Sequence, residues 1–361
     1  MIGIVCFWDR TATPYLQKYE DLLQAANTPY EILFWNRSGV ARECSSGEID
    51  ILLKCHRHPL LKLVDFFRWS LRVRRLLKNR RYDKLIVLTT VPAILLADYL
   101  KRQYKERYIL DIRDYTLEKN PLFYRMVTNL VRNSALTPIS SDGFREWLEP
   151  SDKIVTNHNI TWNDRATDNR EYFATPPFRY TFVGNVRLDE QTRMVLLALK
   201  NHPQFRSGYV GRMMPECELE ELCCCEGIEN CDIRGEFHYT EKPEIYRQID
   251  LINAIYANAP AGEMSPGDST PIPNRLYDCV VFRVPIVCCK GTYLADIVEE
   301  FSLGFAVDAY LDDIVSCFEE YVASFDKEKF LAGCDAFLTI AQQEEASFKE
   351  CVLNFIKEES R

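Results

Sequence analysis

Twice along this chain, short apolar runs of strand length alternate with segments of helical period, and that alternation limits the fold more than any other feature. In the first half, Ile2–Phe7, Tyr30–Trp35, Leu85–Thr89, Tyr108–Ile112, Leu136–Ile139 and Lys153–Thr156 are strands. Between them lie helices starting at Thr13-Pro14, Pro59, Val91 and Asn120-Pro121, with a further helical segment at Ser141–Leu148. Thr13 and Asn120 each precede a proline, the sequence signature of an N-cap followed by a first-turn proline. The polar stretch from Asn36 to Asp50 reads as a loop. Strands spaced by helices of this length predict a parallel sheet with right-handed crossovers. After a polar stretch, Thr161–Pro177, the pattern restarts with strands at Phe178–Val183, Gly208–Val210, Asp250–Tyr256, Pro285–Cys289 and Leu303–Val307.

A chain of 361 residues, 47% of them hydrophobic, has material for two cores of this kind. The expected division is 1–172, 173–335 and a final helical segment, 336–361, that packs back on the first domain. Charge divides in the same place. Residues 1–172 hold 27 basic and 21 acidic side chains, and 173–361 hold 17 and 32, within a net charge of −9. An acidic total argues against broad nucleic-acid binding. The Met1–Phe7 run is too short, and lacks the basic start, for a secretory signal. The 14 cysteines are then expected to be reduced thiols of a cytoplasmic chain. Cys223-Cys224-Cys225, flanked by Cys217 and Cys231, has no facing C-x₂-C or H-x₃-H pair, so no metal is expected there.

In open α/β sheets, ligands sit beyond the carboxyl ends of the strands. The strongest constellation of that kind is Pro273-Asn274-Arg275-Leu276-Tyr277-Asp278. A Gly/Ser/Pro loop runs into a helix start there, which offers free N–H groups to phosphate. Arg275 adds a forked donor, and Asp278 a carboxylate for a ribose diol. The alternative is an ordinary helix start with an ion pair between Arg275 and Asp278. Glycine turns follow two strands, at Gly184-Asn185 with Arg187 beyond, and at Gly211-Arg212. From the first half, Asp9, Arg10, Arg113, Asp114 and His158 follow strands. For each the alternative is a structural turn or a local ion pair. Between Lys54 and Lys84 there are 11 Lys/Arg and 2 Asp/Glu. The helix from Pro59 to about Asn79 has Leu60, Leu61, Val64, Phe67, Leu71 and Leu76 as its apolar side. It is either a packed helix with a solvated basic face or a contact for an anionic membrane surface.

The order basic-Leu-aromatic-acidic at 275–278, followed by Pro285-Ile286-Val287, resembles the donor-site helix of GT-B glycosyltransferases, near retaining family four. Tyr180-Thr181-Phe182-Val183-Gly184-Asn185-Val186-Arg187 resembles the opening of that family's second domain. Tyr209-Val210-Gly211-Arg212, Ile245-Tyr246 before Asp250, Gly291-Thr292, Asp111-Ile112-Arg113-Asp114 and Lys153 to His158 follow in the family's order. The resemblance implies two Rossmann-like domains facing a cleft and metal-independent transfer from a UDP-type sugar, with no cofactor. The acceptor would be a glycan or a lipid-linked sugar in surface polysaccharide assembly. It implies donor contacts from Gly184, Asn185, Arg187, Gly211, Arg212, Asn274, Arg275, Leu276 and Asp278. Asp9, Arg10 and Arg113 then fall on the acceptor side, and His158 and Asp114 are the catalytic candidates. The sequence departs from the family pattern at Thr270, where an acidic partner of Asp278 is expected, and at Arg283, where glycine is usual. A nucleotide-sugar epimerase and a non-catalytic sugar-nucleotide-binding scaffold are the alternatives.

Overall fold

The computed structural model describes residues 1–160 and 170–358. The chain forms two compact units, one of residues 1–158 with 343–358, the other of 159–342. The first unit holds β1 (Ile2–Cys6), α1 (Leu16–Ala25), β2 (Tyr30–Asn36), β3 (Glu48–Leu52) and α2 (Pro59–Arg80). It continues with β4 (Lys84–Leu88), α3 (Thr90–Gln103), β5 (Tyr108–Asp111), α4 (Pro121–Asn133), β6 (Thr137–Ile139) and β7 (Ile154–Thr156). Every pairing is parallel, in the order β3-β2-β1-β4-β5, and β6-β7 extend the sheet through bridges from Ile109 to Leu136 and from Ile112 to Ile139. Period-two alternation sorts each strand's side chains to two faces. Val5, Leu33, Val87 and Leu110 enter one core, and Ile4, Phe34, Ile86 and Ile109 the other.

The second unit holds β8 (Phe178–Val183), α5 (Glu190–Leu199), β9 (Phe205–Val210), α6 (Leu219–Glu226), β10 (Cys231–Arg234), α7 (Lys242–Arg247) and β11 (Leu251–Ala254). Then come α8 (Pro266–Ser269), α9 (Asn274–Phe282), β12 (Ile286–Cys289), α10 (Tyr293–Glu300), β13 (Gly304–Val307) and α11 (Ile314–Ser324). Its sheet is again all parallel, in the order β10-β9-β8-β11-β12-β13. Both orders reverse beside the first strand of the unit, and such a reversal opens a crevice at the strand ends. The final helix, α12 (Lys327–Lys357), contributes Phe330, Cys334 and Phe337 to a core of the second unit. Its last part sets Phe348, Val352 and Phe355 into a core of the first unit. Each such side chain stabilises its unit by roughly 1.5–3 kcal/mol through burial.

Several sequence expectations change. The units divide after His158, not after 172, because Ile160 and Tyr172 already pack in the second unit's core. Of the interdomain stretch expected at 161–177, residues 161–169 lie outside the described residues. The polar loop before Asp50 ends in β3, an edge strand paired with β2. Thr13 does not cap α1. Instead Asp9 caps a short 3-10 turn at Arg10–Ala12, its Oδ1 accepting from the Ala12 amide at 3.1 Å.

The largest change concerns α2. Its buried residues are Asp65, Trp69, Ser70, Val73 and Leu77. Of the apolar side read from the sequence, Leu60, Leu61, Val64, Phe67 and Leu71 are exposed together with Leu63 and Leu76 is half-buried, so the packed-helix alternative fails for that side. Asp65 tolerates burial because the His56 amide and ring nitrogen Nδ1 each meet Oδ2 at 2.8 Å.

Candidate functional site: the strand ends around Arg275

The turns after β8 and β9 run side by side. The Gly184 amide donates to Val210 O (2.9 Å), Gly211 N to Arg234 O (3.1 Å) and Val186 N to Arg212 O (2.8 Å). Gly184 and Gly211 have φ of +141° and +136°, a region costly for residues with a side chain. A Cβ on Gly211 would lie 2.0 Å from Gly184 O, so only glycine lets these backbones approach. Asn185, Arg187 and Arg212 project from the two turns and are exposed. The nearest acid to Arg212 is Glu236, at 3.9 Å on an equally exposed surface, a pairing worth little.

Arg275, in the first turn of α9, reaches the crevice between β8 and β11. Its guanidinium carbon lies 4.1 Å from the Phe182 ring of β8 and 6.0 Å from the Tyr256 ring after β11. One guanidinium nitrogen, Nη1, sits 3.6 Å from where a Cβ on Gly184 would be. Among the described residues no carboxylate stands within ion-pair distance of it, and its Nε is buried without a hydrogen-bond partner. Desolvation pulls its pKa down, opposed by Tyr246, Tyr256 and Asp278 at longer range. The Tyr256 and Tyr180 hydroxyls, both within its electrostatic reach, are also buried without partners. Buried polar groups are normally satisfied. A half-buried cation beside orphaned hydroxyls at a sheet's switch point is an arrangement with room for an anionic partner.

The Arg275–Asp278 ion pair of the alternative reading does not form. Asp278 Oδ1 accepts from Lys242 Nζ at 2.6 Å and Oδ2 from the Tyr246 hydroxyl at 2.7 Å. The residue is 7% exposed, and burial pushes its carboxyl pKa up against the opposing charge of Lys242. The residue placed on the ribose by resemblance thus spends both oxygens on α7. Lys242 and Tyr246 escaped the sequence reading as site residues. The signal present was Tyr246, read only as part of a helix-to-strand step. Leu276 is fully buried core. Asn274 accepts from the Asn159 side chain at 2.6 Å. Thr270 closes α8, its hydroxyl donating to Pro266 O at 2.5 Å, and brings no acid to the site. Arg283 takes the left-handed C-cap of α9 at φ 54°, the position glycine favours, and ion-pairs with Asp335 at 2.5 Å.

In the first unit, Arg113 is locked inward. It holds both oxygens of Asp111, with Nη2 to Oδ2 at 2.8 Å, and lies 4.3 Å over the Tyr15 ring. Arg10 bridges Glu20 and Glu48 at 2.5 and 2.8 Å. Asp9 turns into its own 3-10 cap. These three therefore hold the strand ends together. His158 is buried, with Nε2 2.5 Å from Glu344 of α12, while its carbonyl accepts from Lys18. Asp114 reaches the surface, yet crowding by protein pushes its carboxyl up, Arg113 opposing and Glu118 and Asp111 assisting. All 14 cysteines are free thiols, and among the described residues no three His, Cys, Asp or Glu side chains cluster for a metal ion.

No family model and no curated protein sequence matches the chain. Solved structures do. Sucrose-phosphate synthase from Thermosynechococcus elongatus superposes with a TM-score of 0.68 at 11% identity, over 98% of this chain and 96% of that one. Anabaena HepE in complex with UDP and glucose gives 0.62 at 13% identity, over 97% and 98%. WaaG, a glycosyltransferase involved in lipopolysaccharide biosynthesis, gives 0.63 at 9% identity, over 99% and 100%. The fold is GT-B, with two Rossmann-like parallel-sheet domains.

Proposed function

We propose that the chain is a glycosyltransferase that takes a sugar from a nucleoside diphosphate donor of the UDP type. The observation that carries this reading is Arg275, a half-buried guanidinium with its Nε sealed from solvent and no counter-ion among the described residues, at the switch point of the second sheet. Sugar transfer breaks the bond between the anomeric carbon and the β-phosphate oxygen, so negative charge grows on the leaving diphosphate. A fixed, desolvated cation stabilises that charge more than water does. The start of α9 adds the positive end of a helix dipole, and Arg187 and Arg212 on the glycine turns add charge. Lys242 and Tyr246 fix Asp278, which in turn anchors α9 against α7. Asp114 and His158 are the groups of the first unit proposed to meet the sugar or acceptor. Retention of anomeric configuration and independence of metal follow from the resemblance to family four. The structural likeness to HepE with UDP and glucose supports the donor class.

The acceptor is proposed to be a glycan or lipid-linked sugar of surface polysaccharide assembly, met at a membrane face. No helix among the described residues is long and apolar enough to cross a membrane. However, α2 exposes Leu60 (68%), Leu63 (64%) and Phe67 (62%) beside Lys62, Arg68, Arg72, Arg75 and Lys78. A contiguous apolar patch rimmed by cations fits an anionic interface, where each Lys or Arg contributes about 1 kcal/mol. Vesicles with anionic lipid should pellet the protein at low salt, and Leu63→Ser with Phe67→Ser should release it. Failure to pellet removes the membrane contact.

The central test incubates the protein with a panel of nucleotide sugars and follows release of free nucleoside diphosphate, with and without acceptor and with EDTA. Release from a UDP-sugar supports the transferase. Tight UDP binding with no turnover over a broad acceptor panel favours a non-catalytic sugar-nucleotide scaffold, a reading to which the committed Asp278 and the neutral Thr270 lend weight.

A further inference from the structure

A second guanidinium without a counter-ion lies in the first unit. Arg37 follows β2 directly, at the carboxyl end of the sheet and beside the turn after β1. Its guanidinium carbon is 3.5 Å from the Trp8 ring centroid and 4.5 Å from both Phe7 and Trp35. Nε and one terminal nitrogen, Nη2, are buried with no hydrogen-bond partner, and so is Nε1 of Trp69, whose ring packs 5.1 Å from Phe7 and 5.7 Å from Trp35. Among the described residues no carboxylate pairs with Arg37. Asp9, which lies within electrostatic reach, turns its Oδ1 to Thr11 and Ala12 instead. Desolvation pulls the Arg37 pKa down to about 10.

Two features separate this slot from an arginine that merely stacks on aromatic rings. Stacking satisfies the face of a guanidinium but leaves its N–H edge unserved, and a buried edge without acceptors is costly. The adjoining segment is also basic. The Arg37 carbonyl accepts from the Cys55 amide at 3.0 Å, which brings the segment bearing Lys54 and Arg57 alongside. That segment leads into α2 and its exposed basic face.

We propose that Arg37 anchors a phosphate group of the acceptor substrate, an assignment that rests on the transferase reading for its word "acceptor" but not for the anion itself. A fork of N–H donors on a rigid planar cation suits a phosphate monoester or diester. The same chemistry is offered by a soluble sugar phosphate and by the headgroup of a lipid-linked acceptor.

The site carries its own reporter, since Trp8, Trp35 and Trp69 surround it, out of 5 tryptophans in the chain. Tryptophan emission of the full-length protein is titrated with glucose 6-phosphate, with decyl phosphate and with glucose as the uncharged control. UDP binding is measured in parallel by calorimetry. A saturable change with a phosphate probe and none with glucose is expected. Arg37→Gln should weaken it at least tenfold and leave UDP affinity within twofold, and Arg275→Gln should do the reverse. Tighter binding of glucose 6-phosphate identifies a soluble acceptor, and tighter binding of decyl phosphate a lipid-linked one. No saturable change, or equal affinity in Arg37→Gln, overturns the assignment. Should that variant fail to fold, Arg37→Lys keeps the charge without the fork. An affinity lowered threefold or more then supports the proposal, and an unchanged one overturns it. A protein that binds the phosphate probes but not UDP refutes the donor reading alone. One that binds UDP but neither probe refutes Arg37 alone.

Discussion

Replacing Arg275 by methionine should make the empty protein more stable and the nucleotide complex far weaker. In the structure the guanidinium gains from the Phe182 face at 4.1 Å, and no carboxylate among the described residues pairs with it. A desolvated cation–π contact is worth about 2 kcal/mol. Holding an unpaired cation out of water costs several kcal/mol even after relaxation. Methionine keeps the length and apolar stem of the side chain and adapts to irregular space. The balance is a gain of about 1–3 kcal/mol for the second unit, or roughly 2–4 °C in Tm per kcal/mol at that size. Binding moves the other way. Two charge-assisted hydrogen bonds to a diphosphate contribute about 1.5–3 kcal/mol each, so UDP affinity should fall by roughly 10²–10⁴. Thermal unfolding with and without UDP reads both effects in one experiment. The wild type should show a UDP-dependent rise in Tm, and Arg275→Met a higher starting Tm with no rise. A variant that melts lower than wild type and still responds to UDP would refute the assignment of an empty anion site.

Three further outcomes follow from the same geometry. Gly211→Ala places a methyl 2.0 Å from Gly184 O at a φ of +136° and should cost about 3 kcal/mol or more in urea unfolding, since strain and overpacking each contribute about 1–3 kcal/mol. Lys242→Met leaves the Asp278 carboxylate buried without its cation and should cost about 3–5 kcal/mol, most of it recovered by adding Asp278→Leu. The Asp278 carboxyl is raised in the fold, so the stability it adds is full below its ordinary pKa of 3.8 and is lost as pH climbs through the raised value. Asp278→Asn should lack that slope, and a wild type whose stability runs parallel to the variant across acid pH would contradict it.

What the sequence disclosed and what it hid differ in kind. The strands were legible because parallel strands buried on both faces read as continuous apolar runs, as Ile2–Cys6 and Ile286–Cys289 do. The edge strand β3 was not, since Glu48-Ile49-Asp50-Ile51-Leu52 mixes acids with apolar residues and follows a polar loop. That single omission propagated. Without β3, Glu48 had no place beside β2, and Arg10 looked free for a substrate when it bridges Glu48 and Glu20. The face of α2 was misassigned for a related reason. Apolar residues occur around most of that helix, and the buried side is chosen by the His56 contact that makes Asp65 tolerable, a pairing no periodicity encodes.

Side-chain pairing over long sequence separations therefore decides which candidates remain available. Asp278 is taken by Lys242, 36 residues before it, and Arg113 by Asp111 and the Asn157 carbonyl. Arg74 and Arg170 also have a buried, unpartnered Nε but reach the Leu95 and Tyr246 carbonyls, which leaves Arg275 on the second sheet and Arg37 on the first as half-buried guanidinium groups that meet no acceptor among the described residues. Both answer to the same constraint: an arginine at the carboxyl end of a parallel sheet, stacked on aromatic rings with its N–H edge unserved, gains by meeting an acceptor, and an anion is the strongest one. One such group in each of the two Rossmann-like domains is the common ground of the two proposals, and a transferase that joins a nucleotide donor to a phosphorylated acceptor is the proposed chemistry that would use both.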